Sequence, residues 1–184
     1  MIVIWILLGV LVCAAGMMIS VYNGLVQLRV GVQNAWSQID VQLKRRHDLI
    51  PNLVETAKGY MAHERGTLES VIRARQIAVD AGSLKDKFAA ENMLTTTLRS
   101  LMAVSENYPN LKADQTMMRL QEELTTTENK IGFARQFYND EVNRLNITVQ
   151  SFPSNVIAAQ FGFKTAEFFQ VETAEERNAP QVKF

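Results

Sequence analysis

Cysteine is almost missing from this chain. The single residue, Cys13, lies in an apolar N-terminal stretch, so an intrachain disulfide and a cysteine metal cluster are both excluded. An excess of either charge is missing too. Lys plus Arg is 19 and Asp plus Glu is 19, which removes the basic surplus that a nucleic-acid partner needs. Helix breakers are scarce, with four Pro and nine Gly gathered at a few places. Ala, Leu, Gln, Glu, Lys and Arg fill the intervals, all good helix formers. No apolar/polar alternation bounded by turn residues marks a strand. The chain is therefore expected to be all-α.

Catalytic signatures are also lacking. His47 and His63 are the only histidines, and neither has a second histidine four residues on, as a helical zinc pair requires. No glycine-flanked nucleophile, no serine–histidine arrangement and no Gly-rich phosphate loop occurs. Glu122, Glu123 and Glu128 read as solvated helix carboxylates. No catalytic residue, metal or cofactor is expected, and the chain reads as a non-enzyme.

What is present begins with a long apolar run. Ile2 to Ile19, "IVIWILLGVLVCAAGMMI", carries no charge, and the first charged side chain is Arg29. That length fits a spanning helix. Trp5 and Tyr22 flank it as interfacial anchors, roughly 26 Å apart at 1.5 Å rise per residue. A basic n-region before the run, as a secretory signal peptide wants, is not there. A lipoprotein signal ending at Cys13 would want a smaller residue than Val12. Residues 1–22 thus read as a transmembrane anchor. Arg29, Lys44, Arg45 and Arg46 follow it and nothing basic precedes it. The positive-inside rule then favours a single-pass protein of the bacterial cytoplasmic (inner) membrane with its soluble domain in the cytoplasm.

Beyond the anchor, apolar residues keep helical spacing. Leu25, Leu28, Val32, Trp36, Ile39 and Leu43 form one stripe, with Trp36 expected as a major core residue. Ile50, Leu53, Val54, Ala57, Met61, Leu68, Val71 and Ile72 form another, closed by Gly82. Ser83 with Asp86 resembles a capping box for the next helix. A third stripe holds Leu84 to Met102 and stops before Asn107-Tyr108-Pro109-Asn110. A fourth, from Met117 to Val149, ends near Pro153. Between the first two stripes lies Arg45-Arg46-His47-Asp48-Leu49-Ile50-Pro51. One straight helix from Tyr22 to Ala81 would be ~90 Å long and leave much of its stripe uncovered. Inside a helix Pro51 would cost ~3 kcal/mol, whereas a first turn tolerates it. Either Asp48 or Asn52, with Glu55 after it, would cap a helix starting there. The spacing therefore predicts a turn at 47–51 and an antiparallel four-helix bundle of about residues 22–47, 49–81, 84–107 and 111–150. The alternative is three long helices, the first kinked at Pro51. By domain, residues 23–170 form the bundle and 171–184 a flexible tail.

The blocks "YNGLVQLR", "AWSQIDVQLKRRHDLIPNLVETAKGY", "ENYPNLKAD", "LQEELTTTENKIGFARQFYNDEVNRLN" and "FPSNVIAAQFGF" resemble the LemA family in order and spacing, from Tyr22 to about Phe169. The resemblance implies a bacterial protein with an N-terminal anchor and an antiparallel helical domain. Some relatives act in making magnetosome membranes. The resemblance brings no catalytic residues with it.

Several residues stand out as contact candidates. Lys44, Arg45 and Arg46 suit an anionic lipid or a partner, or simply a solvated helix end. Arg46 also continues the stripe of Ile39 and Leu43, which fits a semi-buried place against a carboxylate such as Asp48 or Glu128. Two Leu-Thr-Thr-Thr runs, at 94–97 and 124–127, suit close helix packing with hydroxyls bonded to the preceding turn, or else a polar channel. Phe161, Phe163, Phe168 and Phe169, with Phe152, either cap one end of the bundle or form an apolar patch for a membrane or partner. The function expected is a membrane-anchored, self-associating scaffold or membrane-remodelling protein, with membrane lipids and copies of itself as partners. The alternative is an adaptor or regulator of another membrane protein, such as an enzyme or protease.

Overall fold

The computed structural model describes residues 1–169; the tail expected at 171–184 lies outside the described residues. Those residues form six helices and no strand: α1 (Ile2–Lys58), α2 (Arg65–Asp80), α3 (Leu84–Ser105), α4 (Pro109–Lys112), α5 (Gln115–Gln150) and α6 (Ser154–Gln160). The chain is all-helical, with a long apolar helix at its N-terminus. The described residues divide into two compact units, Met1–Asp40 with Gly132–Phe168, and Val41–Ile131 with Phe169.

The turn expected at 47–51 does not form. α1 runs as one α-helix through Pro51 to Lys58. The buried residues Ile39, Leu43, Arg46, Ile50, Leu53 and Ala57 keep 4, 3, 4, 3, 4 spacing through the proline, so one stripe serves both sides of it. Pro51 itself lies on the exposed face. It lacks the N–H that would bond the His47 carbonyl, and Arg75 supplies the missing donor: its Nε donates to His47 O at 2.7 Å. The first helix ends later, at Lys58, where Tyr60 and Met61 both donate to Ala57 O. From Tyr22 to Lys58 it then measures roughly 55 Å by rise per residue, about the length of α5. The uncovered stripe that argued for an earlier turn therefore disappears.

In the second unit the four long helices share one core. Ile50, Leu53, Val54 and Ala57 come from α1, Leu68 and Val71 from α2, Leu94, Leu98 and Leu101 from α3, and Met117 and Leu124 from α5. Two local signals fix the helix starts. The Ser83 hydroxyl accepts from Asp86 N at 3.0 Å and donates to the Asp86 carboxylate at 2.6 Å, as the capping pattern predicts. Asp114 accepts from Met117 N at 2.9 Å and opens α5.

In the first unit α5 runs antiparallel to α1. Tyr138 meets Trp36 edge-on at 6.1 Å, and a Cβ on Gly31 would lie 2.8 Å from Glu141 Oε2. Val149 packs on the cluster of Leu25, Ala158 and Phe163. The ring expected at the centre of the core is displaced by its neighbour. Trp36 is only half-buried, while Tyr138 is 1% exposed and donates its hydroxyl to Glu167 O at 2.9 Å. Asn146 pins the segment after α6 to α5 from both sides of its amide, donating to Ala166 O at 3.0 Å and accepting from Ala166 N at 2.8 Å.

Candidate functional site

Two constellations gather the residues singled out by sequence, one in each unit. In the second unit, Arg46 projects from the buried stripe of α1 and is 0% exposed. One guanidinium nitrogen donates to the carboxylate of Glu128 on α5 and to the Thr95 hydroxyl on α3, the latter at 2.8 Å. The other donates to the Glu91 carboxylate on α3. The opposite carboxylate oxygen of Glu91 lies 2.9 Å from His47 Nε2, an ion pair when the ring is protonated. Burial pushes the Glu91 carboxyl up, but His47 and Arg46 together outweigh it and hold the group below the usual glutamate value. A buried cation thus bridges three helices, and its carboxylate partners offset its desolvation. Arg46 and Glu91 are closed to solvent, so neither meets a diffusing substrate.

Arg46 therefore leaves the group of lipid or partner contacts. Its stripe position put it against Glu128, as one of the two readings held; Glu91 and Thr95 were not foreseen. Its neighbours Lys44 and Arg45 are exposed, and Arg45 lies 3.6 Å from Glu123 across a solvated gap. The threonine runs bond back to the preceding turn, as with Thr97 to Met93 O at 2.8 Å and Thr127 to Glu123 O at 2.7 Å. Among these threonines Thr95 reaches instead into the charge cluster.

The first unit gathers the aromatics. Tyr22 meets Phe161 edge-on at 4.9 Å and Phe163 at 5.7 Å, and the Arg29 guanidinium stands 5.0 Å from the Phe163 ring centroid. Phe163 is turned inward by the end of α6. Gly162 adopts φ +72°, and Phe163 N donates back to Ala158 O at 2.9 Å, the Schellman pattern that glycine favours. The glycine at this position was the available sequence signal, and it was missed. Phe163 is buried, so it is not a free contact residue. The same correction applies to Phe169, which is 2% exposed and stacks at 4.0 Å on Phe88 in the second unit. Phe161 and Phe168 keep substantial exposure, and Phe152 more still. Trp5 is exposed along with the whole apolar N-terminal stretch, none of which is buried inside the protein.

Residues 35–184, which include the charge cluster and the phenylalanines from Phe152 to Phe169, match the family model described as LemA family. The chain belongs to the LemA family. Among relatives, this LemA-family chain is 27% identical over 179 residues to the magnetosome proteins MamQ 1 and MamQ 2 of Paramagnetospirillum magneticum strain AMB-1. The match covers 83% of the chain and 66% of each relative, so it spans just under two thirds of their length. Protein LemA of Metamycoplasma hominis is 26% identical over 168 residues, with 85% of the chain and 75% of the relative covered. These relatives and the exposed apolar helix point to a membrane-associated helical protein.

Proposed function

We propose that this chain is a membrane-anchored, non-enzymatic scaffold that self-associates to organise or reshape a bilayer. The observation that carries the reading is the continuity of α1. One helix of 57 residues begins as a fully exposed apolar stretch and ends inside a packed core, so a single element leads from the anchor into the domain. Anchoring confines every copy to the membrane plane, which favours side-to-side contact between copies. Phe133 and Phe137, one turn apart on α5 and 75% and 45% exposed, supply an apolar face for that contact. Equal numbers of opposite charges keep repulsion between copies low. That two relatives are named as magnetosome proteins supports a role at a membrane compartment. The flanking cations support an orientation with the domain in the cytoplasm of a bacterial cell.

The test is the mass of full-length protein in mild detergent and in lipid nanodiscs, alone and with Phe133→Ser and Phe137→Ser together. The scaffold reading expects a large discrete assembly that the double variant disperses without unfolding. A monodisperse monomer at micromolar concentration would remove it and leave an adaptor of another membrane protein.

A further inference from the structure

The course of α5 in the first unit carries a membrane contact beyond the anchor. Its residues meet α1 in descending order: Tyr138 at Trp36, Glu141 at Gly31, Val149 at the Leu25 and Val26 level. Continuing that descent by about three residues passes the end of α5 at Gln150 and brings Phe152 to the level of Tyr22. The chain then turns through Phe152 and Pro153 into α6, whose Ala158 shares a buried cluster with Leu25 and Phe163, against which Val21, Tyr22, Val26 and Ile157 pack. Counting about 20 residues from Ile2 for a hydrocarbon core ends near Val21. The α5–α6 turn and α6 therefore lie where α1 leaves the apolar layer.

The outward side chains at this level are apolar where water would favour polar ones. Phe152 is 83% exposed, Val156 61% and Phe161 51%, and Phe161 rests on Tyr22 at 4.9 Å. Two cations lie close to this end: Arg29 stands 5.0 Å from the Phe163 ring centroid and Lys164 follows that ring in the chain, while Arg144, farther up α5, is paired with Glu141 at 3.0 Å. An apolar rim flanked by cations matches the boundary between acyl chains and anionic headgroups. We infer that the α5–α6 turn is a second membrane-contact element, in which Phe152, Val156 and Phe161 enter the interface of an anionic bilayer beside the anchor. The element braces α1 against tilting, and it acts in each copy whether or not copies associate.

The test uses full-length protein with Cys13→Ser, carrying a nitroxide on Phe152→Cys, Val156→Cys or Gln136→Cys. All three positions are exposed, so labelling removes no core packing. The probes are nanodiscs of phosphatidylcholine alone and of phosphatidylcholine mixed with phosphatidylglycerol. Collision rates with oxygen and with a water-soluble nickel chelate report depth. At 152 and 156 the oxygen-to-nickel ratio is expected to be several-fold above that at 136, and to rise further with phosphatidylglycerol. Equal ratios at all three sites would overturn the contact. Shielding of 152 and 156 from both reagents would overturn it in favour of a protein interface. A ratio indifferent to phosphatidylglycerol would overturn the commitment to anionic lipid.

Discussion

Arg46 was half-legible in the sequence, because helical spacing tells which face a residue occupies but not what opposes that face. Its place between Leu43 and Ile50 pointed inward, and Glu128 was among the expected partners. Glu91, 45 residues away on another helix, has no local signature. Since Arg46 and Glu91 are both shut off from water, removing Arg46 leaves the buried Glu91 carboxylate with His47 as its remaining charge partner. Arg46→Met is expected to destabilise by about 3–5 kcal/mol, and Arg46→Met with Glu91→Leu to recover much of that loss. Denaturant unfolding of the detergent-solubilised protein measures both, and a neutral single variant would mean that the pair is solvated. The depressed Glu91 carboxyl also sets a pH dependence. Its stabilising effect is complete above the ordinary value of 4.5 and is lost as pH falls through the lower folded value. Stability should therefore drop with acid in that window, and Glu91→Gln should flatten the drop. The rings show the same limit of pattern reading. Trp36 lay on the stripe and was expected at the core, yet Tyr138 takes the enclosed place. Tyr138→Ala should cost ~3–5 kcal/mol and Trp36→Ala clearly less, because truncation costs scale with burial. The reverse order would restore Trp36 as the principal core ring.

At the scale of elements, what is local was legible and what is compensated at a distance was not. The Ser83–Asp86 cap needs only four consecutive residues, and it forms as expected. Pro51 was read as a helix start because an interior proline leaves a carbonyl bare. Its remedy, Arg75, lies 28 residues from His47. The in-phase stripe through residues 39–57 was the sequence signal that outweighed the proline, and splitting it into two sets concealed this. The compensation predicts a thermodynamic coupling. Arg75→Ala in the natural sequence leaves the His47 carbonyl without its donor and should cost about 1–3 kcal/mol. With Pro51→Ala the backbone N–H of residue 51 returns to that carbonyl, so the same Arg75→Ala change should cost much less. The cycle is read from denaturant midpoints of the four proteins. An Arg75→Ala effect equal in both backgrounds would separate Arg75 from the proline.

For the whole molecule, the apolar N-terminal helix and the helical class were legible because an uninterrupted apolar run and 3–4 spacing are properties of the chain alone. The contact made by the α5–α6 turn was not, because it depends on how far α5 descends along α1. The placement of that turn bears on the orientation of the protein. Arg29 and Lys164 lie in the stretches beside the exit of the apolar helix, whereas Arg144 is paired with Glu141. Cations close to a spanning helix are retained on the cytoplasmic side, and Lys164 strengthens a bias that Arg29 alone began. The domain is therefore expected to face the cytoplasm. Protease added to intact spheroplasts should leave everything beyond Asn23 uncut, and the exposed Gly59–Tyr60 break between α1 and α2 should be cleaved only after lysis. Cleavage at that break in intact cells would put the domain on the outer face. The α5–α6 turn would then meet the outer leaflet, and the nanodisc depths at 152 and 156 would stay as they are, because they report distance from a bilayer and not its side.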